Sequence, residues 1–306
     1  MLKLIPDQTK FDFMRWHKLA IAISAIGMIL TVVLLFTEGL NLGTDFAGGV
    51  LMEVQTPKAK NLSGLRADLD TLDLGHINLQ QLGNEDQVLI RLGQQKGEDG
   101  LQRAIQAVKD KIGEGAEYRR VEFVGPQVGN ELIKKGIWAV ILSSVGILGF
   151  VMFRFRWEFG LCSVIALLHD ALLTIGLFTI TRAEFDLSTL AAVLMIGGYS
   201  INDTVVVFDR VREMMRKYRK MPLPELFNLS INATLSRTVL TGGTAILALL
   251  ALWFLGGAVI RGFVGALIWG IVVGTYSSVF VATPMLLYLG LKEEHKQRLG
   301  LSDIKV

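Results

Sequence analysis

The chain has 306 residues, of which 51% are hydrophobic and only 19% charged, and its mean hydropathy is +0.47. This composition is typical of a polytopic membrane protein and argues against a soluble domain. The net charge of +3 is too small to indicate a nucleic-acid partner. The single cysteine, Cys162, lies in an apolar stretch, so an intrachain disulfide is excluded.

The first apolar run extends from Leu19 to Phe36. It is longer than the 7–15 apolar residues of a signal peptide, and no small-residue cleavage site follows it. We therefore predict that residues 1–37 form a cytoplasmic N-terminus and an uncleaved first transmembrane helix.

A polar block, residues 38–135, follows the first span. Residues 48–55 alternate as in a strand, and residues 61–74 repeat leucine at helical spacing. The same block then has two strand patterns joined by a turn signal, an amphipathic helix and a final strand at 77–82, 87–92, 100–112 and 118–125. The order β-α-β-β-α-β predicts a ferredoxin-like α+β domain.

Residues 136–290 contain five more apolar segments, and a charged tail, residues 291–306, ends the chain. Each segment is long enough to cross a bilayer, which takes about 20 residues, and the last one is longer than a single crossing needs. The predicted spans are Gly136–Phe153, Gly160–Ile180, Leu187–Phe208, Val239–Leu255 and Phe263–Leu289. The predicted fold is a six-helix membrane protein with the ferredoxin-like domain inserted between helices 1 and 2.

Lysine and arginine are distributed unevenly over the short loops. They are frequent in residues 1–18, 154–156 and 209–237 and in the tail, whereas Arg182 and Arg261 are the only ones in the loops on the opposite side. Short cytoplasmic loops carry the excess of basic residues. We therefore expect both termini in the cytoplasm and residues 38–135 on the far side of the membrane.

Asp203 lies in the fourth apolar segment, five residues before its end at Phe208. At 1.5 Å per residue this is about 7 Å inside the segment, more than a short aspartate side chain easily spans. A carboxylate inside a membrane helix costs about 2.5–3.5 kcal/mol on insertion scales, so function is favoured over an interfacial acid. Tyr199 and Ser200 share its helical face, and Asn202 adds a further polar neighbour.

Arg237 lies two residues before the fifth apolar segment, at the same predicted end of the bundle as Asp203. Its long side chain could reach Asp203. Burial favours the neutral carboxyl and a neighbouring arginine favours the charged one, so the two opposed effects leave a group that can bind and release a proton. Since a proton crossing the membrane gains about 2.3 kcal/mol per 100 mV, the pair could switch between two helix arrangements.

His169 and Asp170 form a second polar pair, near the middle of the third span. They fit either a proton relay or a polar contact between helices, and the sequence leaves both open. Small residues at four-residue spacing in the sixth span, from Ala266 to Ser278, favour close helix packing.

The motifs of several enzyme classes are missing. The sequence has no phosphate-binding loop of the type G-x-x-x-x-G-K-[ST] and no Cys/His cluster or H-E-x-x-H, so we expect no ATPase activity, metal or other cofactor. Asp170 and Asp203 lack the glycine-rich setting expected of an intramembrane aspartyl protease. We predict a protein that is not an enzyme.

Five segments resemble signature segments of the SecD/SecF family of the bacterial Sec protein-export machinery, within the resistance–nodulation–division superfamily. They occur in order along nearly the whole chain, and the six-helix plan with a large first external loop also matches. SecD proteins usually have a larger external domain and a different setting for their acid, so the SecF side of the family is more similar. The segments are DFAGG (Asp45–Gly49), EFVGPQVG (Glu122–Gly129), ALLHDALLTIG (Ala166–Gly176), GYSINDTVVVFDRVRE (Gly198–Glu213) and LSRTVLTGGTA (Leu235–Ala245).

The resemblance implies a partnership with SecD, association with the SecYEG channel and further small membrane proteins, and use of the proton gradient to help export unfolded polypeptides. It also implies that Asp203 and Arg237 take part in proton movement. Two alternatives remain open: a structural subunit without a proton pathway of its own, and one half of a small-molecule efflux pump of the wider superfamily.

Overall fold

The computed structural model describes residues 9–56, 62–72, 74–75, 77–82, 86–93, 97–113, 115–257 and 260–289. The predicted charged tail lies outside these residues. The helices are α1 Phe13–Thr37, α2 Thr44–Ala47, α3 Leu62–Asp70, α4 Gly97–Ile112, α5 Pro126–Arg154, α6 Trp157–Thr181, α7 Leu187–Lys217, α8 Leu223–Leu255, α9 Arg261–Ser277 and α10 Thr283–Met285. The strands are β1 Gly49–Gln55, β2 Ile77–Gln81, β3 Gln87–Leu92 and β4 Glu117–Val124.

Six helical segments in the described part of the chain are long and apolar enough to cross a membrane, which confirms the predicted number of spans. They begin at the starts of α1, α6, α7, α8 and α9 and within α5. On α1 the large apolar side chains of Ile26 and Ile29 face outward, while the polar Ser24 and Thr31 are buried. Apolar outside and small polar inside is the arrangement expected of a helix whose solvent is lipid.

The domain between the first two spans, which we call the external domain after its predicted location, contains a four-stranded antiparallel sheet in the order β2-β3-β1-β4. The chain passes through β1, α3, β2, β3, α4 and β4, so the predicted β-α-β-β-α-β order of elements is confirmed. Val50, Met52 and Val54 of β1 are fully buried and pack with Leu69 of α3 and Val108 of α4. Alternate residues of the central strand thus point to the helices, as the period of two requires.

This domain is tied to the loop between α6 and α7. Gly43 N–H donates to the Phe185 carbonyl at 2.9 Å, and Phe185 N–H donates to the Asn41 carbonyl at 2.8 Å. Arg91 of β3 forms an ion pair with Glu184 in the same loop. The sheet is therefore anchored directly above the start of α7.

The fifth span differs from the prediction. The predicted span begins at Val239, whereas in the structure this segment is the second half of a longer helix, α8, which begins at Leu223. Leu226, Phe227 and Ile231 in its first half are buried with Val207 and Val211 of α7. Tertiary packing of one helical face therefore extends the helix beyond its apolar part.

The sixth span is not a uniform α-helix. A π-helical turn, Ser278–Ala282, separates α9 from α10. The Thr283 hydroxyl donates to the Ser278 carbonyl at 2.8 Å, and Pro284, which has no N–H to donate, follows at once. Single π turns within α-helices are frequently found at functional sites.

Candidate functional site

Asp203 is buried in the middle of the bundle. It lies on α7 with only 3% of its surface exposed. Its Oδ2 atom has no hydrogen-bond partner among the described residues. A carboxylate in lipid or dry protein is normally paired or fully hydrogen-bonded, so an incompletely satisfied one is costly in its charged form.

Arg237 is an exposed side chain of α8 that interacts electrostatically with Asp203. Among the residues that the structure describes, it forms no ion pair within 4.0 Å. It lines a cavity of about 550 Å³ that Asp209 and Thr234 also line. Arg237 therefore interacts with the buried carboxyl and also lines a cavity, without a close ion pair that would fix its position.

Asp203 and Arg237 lie at similar depths. Asp203 is about 24 Å along α7 from Leu187, and Arg237 is about 27 Å along α8 from Leu255, at 1.5 Å per residue. The two helices run in opposite directions, so Leu187 and Leu255 mark the same end of the bundle. The acid and the arginine therefore both lie near the middle of their helices, at a similar distance from that end.

The nearest polar groups around Asp203 come from three helices. The hydroxyl of Thr275 on α9 interacts with the carboxyl, and the Tyr199 hydroxyl lies beside Asp203 and Thr241. Tyr199 also lacks a partner in hydrogen-bonding geometry within the described residues. Gly242 of α8 faces the same place, since a Cβ there would be in van der Waals contact with the Tyr199 hydroxyl at 3.6 Å.

Two of the predicted neighbours of Asp203 lie elsewhere. Asn202 is exposed on a different face of α7, since adjacent helical residues are about 100° apart. Ser200 is buried, but its hydroxyl donates to Asp170 Oδ2 at 2.5 Å rather than to Asp203. The site at Asp203 therefore retains Tyr199 and gains Thr275.

His169 and Asp170 are at the centre of a separate network, and both are completely buried. His169 Nδ1 lies 2.8 Å from Asp170 Oδ1. Besides the bond from Ser200, the hydroxyl of Ser277 donates to Asp170 Oδ2 at 2.8 Å. One carboxyl thus joins α6, α7 and α9, and both of its oxygens have partners.

Small residues on α9 allow this network to form. A Cβ at Gly274 would lie 3.0 Å from the Ser200 Cβ, and one at Gly270 would lie 2.3 Å from Ile196 side-chain atoms. The predicted small-residue face of the sixth span is therefore the surface that packs closely against α7. Ser277 is the last residue of α9 before the π turn, so the irregular turn starts at the network.

Sequence reasoning missed Thr275, Ser277 and Asp45. Thr275 and Ser277 read only as part of a small-residue helix, and nothing in one sequence indicates which acid they face. Asp45, in the DFAGG segment, accepts a hydrogen bond from the Leu187 N–H at 3.0 Å and so caps the start of α7. Asp45 lies in α2, 142 residues before Leu187, so no local signal in the sequence indicates this contact.

The arrangement can hold or release a proton at a buried carboxyl with an arginine nearby. It offers no nucleophile with an adjacent base at Asp203. Within the described residues, no three His, Cys, Asp or Glu side chains converge on a position for a metal ion.

Comparison with known proteins gives consistent similarities over most of the chain. Residues 104–292 match the family described as protein export membrane protein SecD/SecF, C-terminal, and residues 33–57 match the SecD/SecF GG motif. SecF from Rhodobacter capsulatus is 42% identical over 99% of this chain and 95% of its own. SecF from Vibrio alginolyticus is 43% identical over 96% and 95%.

A solved structure shares the fold. The crystal structure of SecDF, a translocon-associated membrane protein from Thermus thermophilus, aligns with a TM-score of 0.80 and 34% identity over 93% of this chain. The chain spans 39% of that longer protein. A second structure, SecDF in a super-membrane-facing form, aligns with a TM-score of 0.72.

The six spans and these similarities thus define a multi-pass membrane protein of the protein-export class. The chain belongs to the SecF branch of the SecD/SecF family.

Proposed function

We propose that this protein couples proton movement to protein export as a subunit of the Sec translocase. Asp203 binds the proton, and Arg237 is its counter-ion. Proton binding neutralises the carboxyl and releases the arginine, and proton loss restores their attraction. This exchange shifts α7 against α8. The external domain moves with α7, because it is anchored at the start of that helix.

One observation carries the proposal: a 3% exposed carboxyl in a membrane-spanning helix has an oxygen without a hydrogen bond. A buried charge of this kind has a high free-energy cost, and for that reason an ionisable residue inside a membrane helix is taken as a candidate functional residue. The position of Arg237 supports the same conclusion, because it interacts with the acid without an ion pair and lines a cavity. A loose pair can rearrange at lower cost than a tight one.

The family suggests the partners. SecD would form the complex with this chain, and the SecYEG channel and further small membrane proteins would complete the translocase. An unfolded polypeptide leaving the channel would be the cargo, and the domain formed by residues 38–135 would face it in the periplasm. Both termini would lie in the cytoplasm, and the membrane would be the bacterial inner membrane.

We assign His169 and Asp170 a positioning role within this mechanism. Both are completely buried, and Asp170 is bonded to groups on three helices. Ser200 lies three residues from Asp203, so this network fixes the part of α7 that carries the proton site. The alternative of a relay would require Asp170 to give up bonds that hold the bundle.

The substitution Asp203→Asn tests the proposal. It removes the proton site while keeping shape and polarity, so we expect export to lose its dependence on the proton gradient. Proton flux should also fall to the level of cells lacking the protein. The assay is precursor translocation into inverted membrane vesicles that contain the variant with its SecD. Asp209→Asn is the matched control, since Asp209 lies further along α7 in an exposed 3.4 Å ion pair with Arg154.

Unchanged export and proton flux in Asp203→Asn would contradict a proton site there. Normal flux in the double variant Asp203→Asn, Asp170→Asn would favour a structural subunit without a proton pathway. Drug sensitivity without accumulated precursor proteins, on deletion of the chain, would favour half of an efflux pump.

A further inference from the structure

A pocket rich in arginine lies at the end of α7 that is predicted to be cytoplasmic. It has a volume of about 390 Å³ and lies between the α5–α6 turn and the last turns of α7. We call it the arginine pocket; its lining residues are Arg154, Phe155, Arg156, Phe159, Arg212, Met215 and Arg216. Four arginines thus line a partly apolar cavity, and none of the described residues that line it is an acid.

The acids near the arginine pocket are already paired with other cations. Glu158 is nearly buried and bonds to Arg156 at 2.5 Å. Asp209 pairs with Arg154 at 3.4 Å, and Glu213 pairs with Arg210 at 2.6 Å. This pairing leaves the two arginines of α7 that line the pocket, Arg212 and Arg216, without an acidic partner among the described residues.

Two of these arginines, Arg154 and Arg212, are held in place by contacts within the turn. Arg212 Nη1 donates to the Arg154 carbonyl at 3.0 Å. The guanidinium carbons of Arg154 and Arg212 lie 5.4 Å and 5.8 Å from the centre of the same Phe155 ring. Both guanidinium groups are thus held beside one phenylalanine ring, so an anion next to Phe155 would be attracted by both of them.

The backbone adds to this positive potential. Helix α6 begins at Trp157, directly after Arg156, and its first turn has no side-chain cap. The free N–H groups of a helix N-terminus attract phosphate and carboxylate groups. This end of α6 belongs to the same turn as the arginine pocket.

The surroundings place the arginine pocket at the level of lipid headgroups. The 31 residues of α7 are about 46 Å long, whereas the hydrocarbon core is about 30 Å thick, so its last turns extend beyond the core. Beside the pocket, Phe153 is 94% exposed and Trp157 is 54% exposed. Exposed apolar side chains next to an interfacial tryptophan mark a lipid-facing boundary.

We propose that the arginine pocket binds the phosphodiester headgroup of an anionic phospholipid. The phosphate lies between Arg212 and Arg216, and the glycerol and the start of the acyl chains lie against Phe155 and Phe159. Basic loops are general on the cytoplasmic side of membrane proteins. The convergence of unpaired arginines on one cavity with an apolar floor distinguishes this site from that general pattern.

The test is lipid binding by the full-length protein purified in mild detergent, measured by native mass spectrometry. The added lipids are dioleoylphosphatidylglycerol and, as the neutral reference, dioleoylphosphatidylcholine. Each arginine near the surface contributes about 1 kcal/mol, which is about fivefold in affinity. We expect the double variant R212Q/R216Q to bind phosphatidylglycerol about 25-fold more weakly than the unsubstituted protein, with little change for phosphatidylcholine.

The matched control is R219Q/K220Q, which removes the same charge from exposed positions just beyond α7 that do not line the pocket. Equal losses in the two double variants would overturn the proposal, because they would show a general effect of surface charge. R216Q alone tests the site with a side chain that has no partner in the described structure, so folding should be preserved; we expect about a fivefold loss. Complete displacement of the lipid by 10 mM inorganic phosphate would also overturn it and indicate a site for soluble anions.

Discussion

Asp170 and Asp203 are both buried aspartates in adjacent membrane helices, yet their surroundings are opposite. Asp170 has partners for both carboxyl oxygens, from His169, Ser200 and Ser277. Asp203 has an oxygen without a hydrogen bond and an arginine that interacts with it from a distance.

The difference shows that burial alone does not define a functional acid. A fully bonded buried carboxyl stabilises one arrangement of helices, because every change of state breaks several bonds at once. An incompletely bonded one leaves two states closer in free energy. In this molecule the first is suited to hold the bundle and the second to switch it.

The contrast between Asp170 and Asp203 is tested most directly by substituting Asp170. The substitution Asp170→Ala leaves the hydroxyls of Ser200 and Ser277 and the ring of His169 without their common acceptor in a dry site. We expect the free energy of unfolding to fall by about 3–5 kcal/mol. Unfolding by sodium dodecyl sulfate in mixed micelles, followed by circular dichroism, measures this loss.

Asp203→Ala is the matched control for that measurement. It removes a carboxyl that is equally buried but poorly bonded, so we expect a loss of about 1 kcal/mol or less. Asp170→Asn, which keeps an acceptor oxygen, should recover much of the stability. Equal losses at the two sites would mean that the hydrogen bonds around Asp170 do not distinguish it from Asp203.

Much of the architecture follows from hydropathy and periodicity. The six spans are long apolar runs in a chain with few charges, and the strands and helices of the external domain follow periods of two and 3.6 residues. The continuity of α8 could not be predicted in this way. Its first half is amphipathic, and only the buried contacts of Leu226 and Phe227 show that it joins the span.

The roles of the buried polar residues stay predictions, but their surroundings can be compared with the expectation. Asp203, His169 and Asp170 were singled out because a polar or charged side chain in an apolar run is costly. Ser200 was assigned to the wrong acid, because a serine on α7 can face either its own helix neighbour or a residue on α6, and tertiary packing decides. Asn202 was assigned by proximity in sequence, although helical periodicity already places it on another face.

Removing single hydroxyl groups around Asp170 tests the same contrast with smaller expected effects. Ser200→Ala and Ser277→Ala each remove one donor to the same oxygen, Asp170 Oδ2, so each should lower the free energy of unfolding by about 1–2 kcal/mol. The double variant should lose more than the sum, since the oxygen is then left without a partner. The same unfolding titration measures all three.

Ser144→Ala is the control for the serine pair. Its hydroxyl donates to the Val140 carbonyl at 2.8 Å, within its own helix, and joins no other element through that bond. We expect a change within about 0.5 kcal/mol. A strictly additive double variant would indicate that Ser200 and Ser277 act independently rather than through one carboxyl.

Glu184 is a partly buried acid outside the membrane-spanning segments. It pairs with Arg91 of the external domain, and Asn78 Nδ2 donates to it at 3.4 Å. Burial raises the pKa of Glu184 above its ordinary value of 4.5; Arg91 opposes the rise, while Asp186 and Asp45 add to it. The pKa of Glu184 is therefore raised although Arg91 is in direct contact with it. In this acid the effect of burial on the pKa exceeds the effect of the ion pair.

The direction of its pH dependence follows from linkage. Because the pKa is raised in the folded state, protonation stabilises the docked domain fully below pH 4.5, and this contribution is lost as pH rises through the raised value. Between pH 5 and pH 7 the protein should therefore lose stability relative to Glu184→Gln, by about 2 °C in Tm or less. Thermal unfolding of both proteins at the two pH values measures this difference, and the pH dependence due to acids that both proteins share cancels in the comparison.

A relative gain in stability toward pH 7 would mean that the ion pair with Arg91 outweighs burial, and that an arginine in direct contact can keep this acid charged. Asp203, whose arginine makes no such contact, would then owe its capacity to switch to the distance of Arg237 rather than to burial.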